Sequence, residues 1–254
     1  MSYVVLIPAR MNSQRLPGKP LAEIHGKPMI QRVFEQAQLS DAGRVVVATE
    51  DSVIFDCVSS FGGEVVMTSS HHTSGPDRAA EACSTLGISS DVTIVNVQGD
   101  EPLIPPACIN QVARDLEKSG CEMATLCQPL TDLSHWLDPN VVKLTRNRLE
   151  QALYFSRAGI PFDRGRAPGQ DIASVIRGCY RHVGIYAYSV RFLNEFVGWG
   201  SCELEETEKL EQLRALFHGA RISASVAEVA IPPGIDTHHD LMQVRELIAK
   251  RDPA

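Results

Sequence analysis

The sequence predicts an α/β protein with a mostly parallel central sheet and a smaller β-rich lobe. Valine-rich runs alternate with amphipathic stretches through the first half. Prolines and glycines fall where the intervening helices should start and stop. Beyond about residue 122 the rhythm changes, and strand-type runs follow one another without long helices between them.

Strand-type runs occur at residues 3–7, 44–48, 64–67 and 92–97. Helix-type stretches at 28–39, 52–61 and 76–86 separate them, and 105–118 follows the fourth. This alternation predicts βαβ units and parallel pairing. Pro28, Pro76 and Pro105 suit a first helical turn, where a missing N–H costs nothing. Gly43, Gly62, Gly87 and Gly120 are the expected stops. In the second half, strands are predicted at 123–128, 141–145, 151–156, 182–189 and 222–229. Residues 157–178, rich in Gly, Pro, Arg and Asp, predict a long mobile loop. One helix is predicted over 204–218, with Leu210, Leu213 and Phe217 on one side, and another over 240–250. The expected organisation is a single domain, with a core from 1–126 and 201–254 and a smaller lobe from 127–200.

The net charge of −7 argues against general binding to nucleic acid or an anionic membrane. Seven cysteines, scattered and without a C-x-x-C spacing, fit small core thiols in a reducing cytoplasm. The N-terminal apolar run is too short for a signal segment, and no stretch approaches a membrane span. A cytoplasmic location is therefore expected.

Against this acidic background the first loop stands out. The run Val4-Val5-Leu6-Ile7 breaks into Pro8-Ala9-Arg10, and Arg15-Leu16-Pro17-Gly18-Lys19-Pro20 follows. Arg10, Arg15 and Lys19 can converge on one polyanion at the carboxyl end of a strand, where open α/β sheets bind ligands. A triphosphate suits that charge. A solvated basic loop is the plainer alternative. Gly18-Lys19 lacks the context of a Walker loop, and no G-x-G-x-x-G follows the strand.

The fourth strand ends in Asn96-Val97-Gln98-Gly99-Asp100-Glu101-Pro102. Asp100 there is a candidate for holding Mg2+ against phosphate oxygens, and Gln98 can read a ligand edge as donor and acceptor. Helix capping is the plainer role for Asp100 and Glu101. Asp236 precedes a Thr237…Asp240 capping box, and Asp100 and Asp236 form a metal pair only if that turn lies beside the fourth strand. The pairs His71-His72 and His238-His239 lack zinc-ligand spacing. No G-x-S-x-G supports a nucleophilic serine. Ser74-Gly75-Pro76-Asp77-Arg78 opens a helix whose backbone can meet a base or phosphate. Arg157, Arg181 and His182 offer fixed or switchable positive charge for an anionic second substrate. Glu211, beside Gln212, stands out among the acids of its helix because it lies beyond the first turn.

Together these blocks resemble the 3-deoxy-manno-octulosonate (Kdo) cytidylyltransferases, or CMP-Kdo synthetases, of lipopolysaccharide synthesis. The resemblance also runs through Gly26-Lys27-Pro28-Met29-Ile30, Tyr154-Phe155-Ser156-Arg157, Arg181-His182-Val183-Gly184-Ile185-Tyr186, Leu210-Glu211-Gln212-Leu213-Arg214 and Gly234-Ile235-Asp236-Thr237. It implies a nucleotidyltransferase, Rossmann-like fold and a homodimer assembled through the smaller lobe. It also implies an Mg2+-dependent reaction of CTP with Kdo, giving CMP-Kdo and diphosphate. By matched position, Ala9, Arg10, Arg15 and Lys19 would face the triphosphate, and Ser74, Gly75, Arg78 and Gln98 the nucleotide. Asp100 and Asp236 would hold the metal. Gln98, Arg157, His182, Tyr186, Glu211 and Gln212 would position the sugar acid. Pro76-Asp77, the spacer from Met11 to Gln14, and Gly159 depart from the commoner family pattern. Activation of 8-amino-Kdo or another acidic nonulosonate is the alternative within this chemistry, and a non-catalytic nucleotide-binding module is the alternative outside it.

Overall fold

A computed structural model describes residues 2–12, 15–72, 74–162, 164, 178–232 and 234–251. Most of the loop predicted over 157–178 lies outside the described residues.

The first half forms the expected βα repeats. Strand β1 (Val4–Ala9) passes through a 3-10 turn (Lys19–Leu21) and a small hairpin of β2 (Glu23–Ile24) and β3 (Lys27–Pro28) into α1 (Met29–Gln38). Then come β4 (Arg44–Thr49), α2 (Ser52–Ser60), β5 (Val65–Met67), α3 (Gly75–Thr85), β6 (Thr93–Asn96) and α4 (Pro106–Ser119). The second half runs β7 (Met123–Pro129), α5 (Leu133–Leu137), β8 (Lys143–Arg146), β9 (Ala152–Ser156) and β10 (Tyr180–Ser189). It closes with α6 (Val190–Gly198), α7 (Glu203–Glu208), α8 (Gln212–Phe217), β11 (Ile222–Val226) and α9 (His238–Arg251).

Among the described residues the large sheet has the order β11-β7-β10-β6-β1-β4-β5, extended by β8 and β9 beside β10. Strands β6, β1, β4 and β5 are parallel, and β11 is parallel to β7. Strand β10 runs antiparallel to all three of its partners, β6, β7 and β8. Although it falls within 127–200, β10 therefore lies inside the main sheet.

Side chains alternate across the sheet as the pleat requires. Val5, Ile7, Val47, Val95 and Val97 pack on one face with α1, α2 and α4. Leu6, Val46, Ala48 and Ile94 pack on the other with α3, α6 and α8. With both faces covered, the inner strands read as continuous apolar runs. A third cluster joins Ile24 and Met29 to Ile235, Leu241, Val244 and Ile248. It docks α9 against the small hairpin and so brings the C-terminal turn to the end of β1.

Several elements differ from the prediction, and α5 and the small β2–β3 hairpin are among those not predicted. The single helix expected over 204–218 is broken into α7 and α8 at Lys209, whose φ of 54° is left-handed. Tertiary contacts hold the break. The Glu208 carboxylate accepts from Ser156 Oγ at 2.6 Å and from Arg157 N at 2.8 Å, while Arg157 Nε donates to Glu208 O at 2.7 Å. Helix α6 was not predicted. Its signal is local, because Ser189 caps Phe192 N at 3.1 Å and Val190, Leu193 and Phe196 share the buried face.

Candidate active site

Strand β1 delivers the first loop to a cleft of about 810 Å3 at its carboxyl end. The loop is tied in place by Met11 N, which donates to Asp51 Oδ2 at 2.8 Å. Gly18, with φ of 67°, turns the chain just before Lys19, a conformation that disfavours a side chain. Ala9, Arg10, Arg15, Lys19, Gln98, Asp100 and Asp236, all expected at the site, line this cleft, and Asn12 and Gly99 join them. Gly99 lies in close approach to β1, since a Cβ there would stand 3.0 Å from Pro8 O.

The decisive juxtaposition is at Lys19. Its ammonium, on a residue only 8% exposed, lies 2.5 Å from Asp100 Oδ2 and 3.2 Å from Asp236 Oδ1. Arg15 Nη2 reaches the same Asp236 oxygen at 2.9 Å. Backbone contacts fix the partnership, with Ile235 N donating to Asp100 O at 2.9 Å. The capping box is present too, Asp240 Oδ2 accepting from Thr237 N at 2.7 Å and from Asp236 N at 3.0 Å. Two carboxylates 136 positions apart in the chain thus bind one cation.

Both carboxylates are partly exposed to the cleft, beside a lip of cations. A small divalent cation uses one or two carboxylates and completes its shell with phosphate oxygens and water. The residues present fit such an ion, and Lys19 marks the position where positive charge is stabilised between them. Beside this pair Glu101 is pushed up to about 7, by burial first and then by the neighbouring Asp100.

The nucleotide-side expectations divide. Gly75 abuts the end of β1, since a Cβ there would lie 3.8 Å from Pro8 Cγ and 3.9 Å from Asn96 Nδ2. Ser74 is the N-cap of α3, accepting from Asp77 N at 3.2 Å and donating to Asp77 Oδ2 at 2.7 Å. Arg78 differs from a side chain poised for a ligand. It is buried, and its guanidinium donates to Thr68 Oγ1 at 2.5 Å and pairs with the Glu50 carboxylate. It braces the start of α3 from beneath.

The sugar-side expectations divide as well. Tyr186 lies opposite Asn96 in the β10–β6 pairing, so residues 180–185 project beyond the carboxyl end of β6. Gly184 sits against Gln98, whose Cγ would be 3.9 Å from a Cβ at that position. His182 is not a switchable cation. Burial, reinforced by the charge of Arg181, pushes its pKa down to about 3, so the ring is neutral at physiological pH. Arg157 points its donors at Glu208 O, Pro139 O and Lys209 O, and so clamps the α7–α8 joint. Arg181 donates to Gln128 Oε1 at 2.5 Å and to Ile231 O at 3.2 Å. Glu211 follows the joint that Arg157 clamps, and burial pushes it up to about 7. Gln212 is buried, and its Nε2 meets no hydrogen-bond partner among the described residues. Asn96, fully buried between β1 and β10, and Thr125, which bonds three groups of β10, were not anticipated. Asn96 stands in the same sequence block as Gln98, whereas nothing local marks Thr125.

The profile of the cytidylyltransferase family matches residues 4–222. The chain belongs to this family. Its relatives include the 3-deoxy-manno-octulosonate cytidylyltransferase of Saccharophagus degradans, 52% identical over 96% of this chain and 98% of the relative. The enzyme of that name from Vibrio cholerae is 49% identical over 99% of each chain. A solved CMP:2-keto-3-deoxy-manno-octonic acid synthetase complexed with CTP is 37% identical, with a TM-score of 0.88 over 99% of this chain and 100% of the other. The cytidylyltransferase fold is thus the nucleotidyltransferase α/β fold. No helix among its described residues is long and apolar enough to cross a membrane.

Proposed function

We propose that this cytidylyltransferase joins CTP to 3-deoxy-manno-octulosonate, giving CMP-Kdo and diphosphate for lipopolysaccharide synthesis. The observation that carries this is the meeting of Arg15, Lys19, Asp100 and Asp236 in one cleft, with Gln98 in its lining and Gly184 against Gln98. The near-full-length likeness to enzymes named for that reaction supports the sugar assignment.

The anomeric hydroxyl of the sugar attacks the α-phosphorus of CTP. One phosphorus–oxygen bond forms as the bond to the leaving diphosphate breaks, and the hydroxyl proton passes to solvent. Such a transfer is accelerated chiefly by alignment and charge neutralisation. Arg10, Arg15 and Lys19 neutralise the triphosphate from the first loop. Ser74 and Gly75 present the start of α3 to the nucleotide. Gln98, His182, Tyr186, Glu211 and Gln212 orient the sugar acid, and Arg157 and Arg78 hold the elements that carry these groups. Asp100 and Asp236 would hold Mg2+, which when bound adds positive charge to the phosphates.

Exposed Leu149 and Leu153 near the β8–β9 hairpin support a homodimer formed through that part of the chain. The seven free cysteines, six of them buried, support a reducing cytoplasm. The test is diphosphate release from CTP with Mg2+ and Kdo, 8-amino-Kdo or sialic acid as acceptor. Kdo-dependent release with a CMP-Kdo product is expected. Release with another acceptor alone, or none at all, rejects the assignment.

A further inference from the structure

Thr125 is fully buried in β7, facing the place where the β10–β7 register shifts between Val183 and Tyr186. Its Oγ1 lies 2.7 Å from Ile185 O, 3.0 Å from Val183 O and 3.0 Å from His182 Nε2. A hydroxyl carries one proton. If that proton pointed at the imidazole, two carbonyl oxygens would face oxygen lone pairs at hydrogen-bond distance. Donation to Ile185 O, the nearer carbonyl, relieves the closest of those contacts and leaves a lone pair to accept from the ring, so His182 carries its hydrogen on Nε2. Nδ1 is left as a lone-pair acceptor. The ring is wedged between Phe155, with centroids 5.0 Å apart, and Tyr186, at 5.5 Å, which opposes a flip. It remains partly exposed beyond the carboxyl end of β6.

We propose that Thr125 is a positioning residue for the sugar acid: it holds the β10 bulge and fixes His182 as the Nε2–H tautomer, so that Nδ1 accepts from a sugar hydroxyl. Bulges commonly re-aim a side chain in this way. A lone pair at Nδ1 selects a hydroxyl donor and repels a carboxylate, so His182 reads the polyol part of the substrate rather than its acid group. The identity of the sugar rests on the function proposed above, whereas the tautomer rests on the contacts of Thr125 alone.

Nitrogen-15 NMR of the full-length protein labelled at histidine tests the tautomer directly, with His182→Gln assigning the resonances. A pyridine-type shift at Nδ1 and a pyrrole-type shift at Nε2 are expected, and the reverse pattern overturns the proposal. Thr125→Val should raise KM for Kdo about tenfold, the loss of roughly one well-placed hydrogen bond, and leave KM for CTP unchanged. Thr125→Ser, which keeps the hydroxyl, should restore both the shifts and KM. Equal damage by Ser and Val, or an equal rise in both KM values, overturns the positioning role. Failure of the wild-type protein to make CMP-Kdo would instead reject the substrate, with the nitrogen shifts still deciding the tautomer.

Discussion

The parallel half of the sheet and the antiparallel insertion at β10 meet at one edge with opposite electrostatic strategies. At the end of β1 and β6, Arg15, Lys19, Asp100 and Asp236 are paired charges open to a cleft. Around β10 and α8, burial works against charge, pushing His182 down to about 3 and Glu211 up to about 7. The contrast fits the function proposed above: a triphosphate and a bound metal would need strong fields, while sugar hydroxyls would need donors and acceptors whose charge does not compete.

The sharpest way to break this contrast is on the charged side. Asp100→Asn should lower turnover about 10²- to 10³-fold, a loss typical of one electrostatic contact to a reacting group. Its melting temperature should stay near wild type, because Asp100 is partly exposed. Near-normal turnover would remove Asp100 from the chemistry.

A structural probe comes next. Arg78→Met leaves the mostly covered Glu50 without its partner and should cost about 3 kcal/mol in urea unfolding, the lower end for breaking a buried pair. A variant as stable as wild type, but defective in CTP binding, would return Arg78 to direct contact with the nucleotide.

The smallest effect sharpens the neutral side. Glu211 is raised from its ordinary value of 4.5 to about 7, so the fold favours its protonated form. The stability this contributes is complete below pH 4.5 and is lost as pH rises through about 7. Glu211→Gln stays neutral, so its melting temperature should gain on wild type across that window. Glu101 carries a similar shift in both proteins and cancels from the difference. Parallel melting profiles would show that Glu211 is not held neutral.

Much of the cleft was legible because its signals are local. The apolar run of β1 ends at the residues that line the pocket, and Gly18 and Gly99 stand at a turn and a close approach. The proposed sugar side was less legible. Arg157 and His182 looked like available charges, but the first is spent on the carbonyls of Glu208, Lys209 and Pro139, and the second is pushed toward its neutral form by partial burial and the charge of Arg181. The break at Lys209 was invisible, because the Leu210, Leu213 and Phe217 spacing suits one continuous helix and only contacts from β9 interrupt it.

From its sequence alone the protein could be read as a two-sided α/β sheet with a cationic loop after the first strand. Periodicity, caps and turn residues act over a few positions, and that is enough to specify elements and their ends. Tertiary structure decided that Asp236 meets Asp100 across Lys19, that β10 enters the sheet against its neighbours, and that Thr125 finds His182. Those outcomes depend on docking between distant segments and on the loss of water around the side chains, and neither is encoded in local spacing.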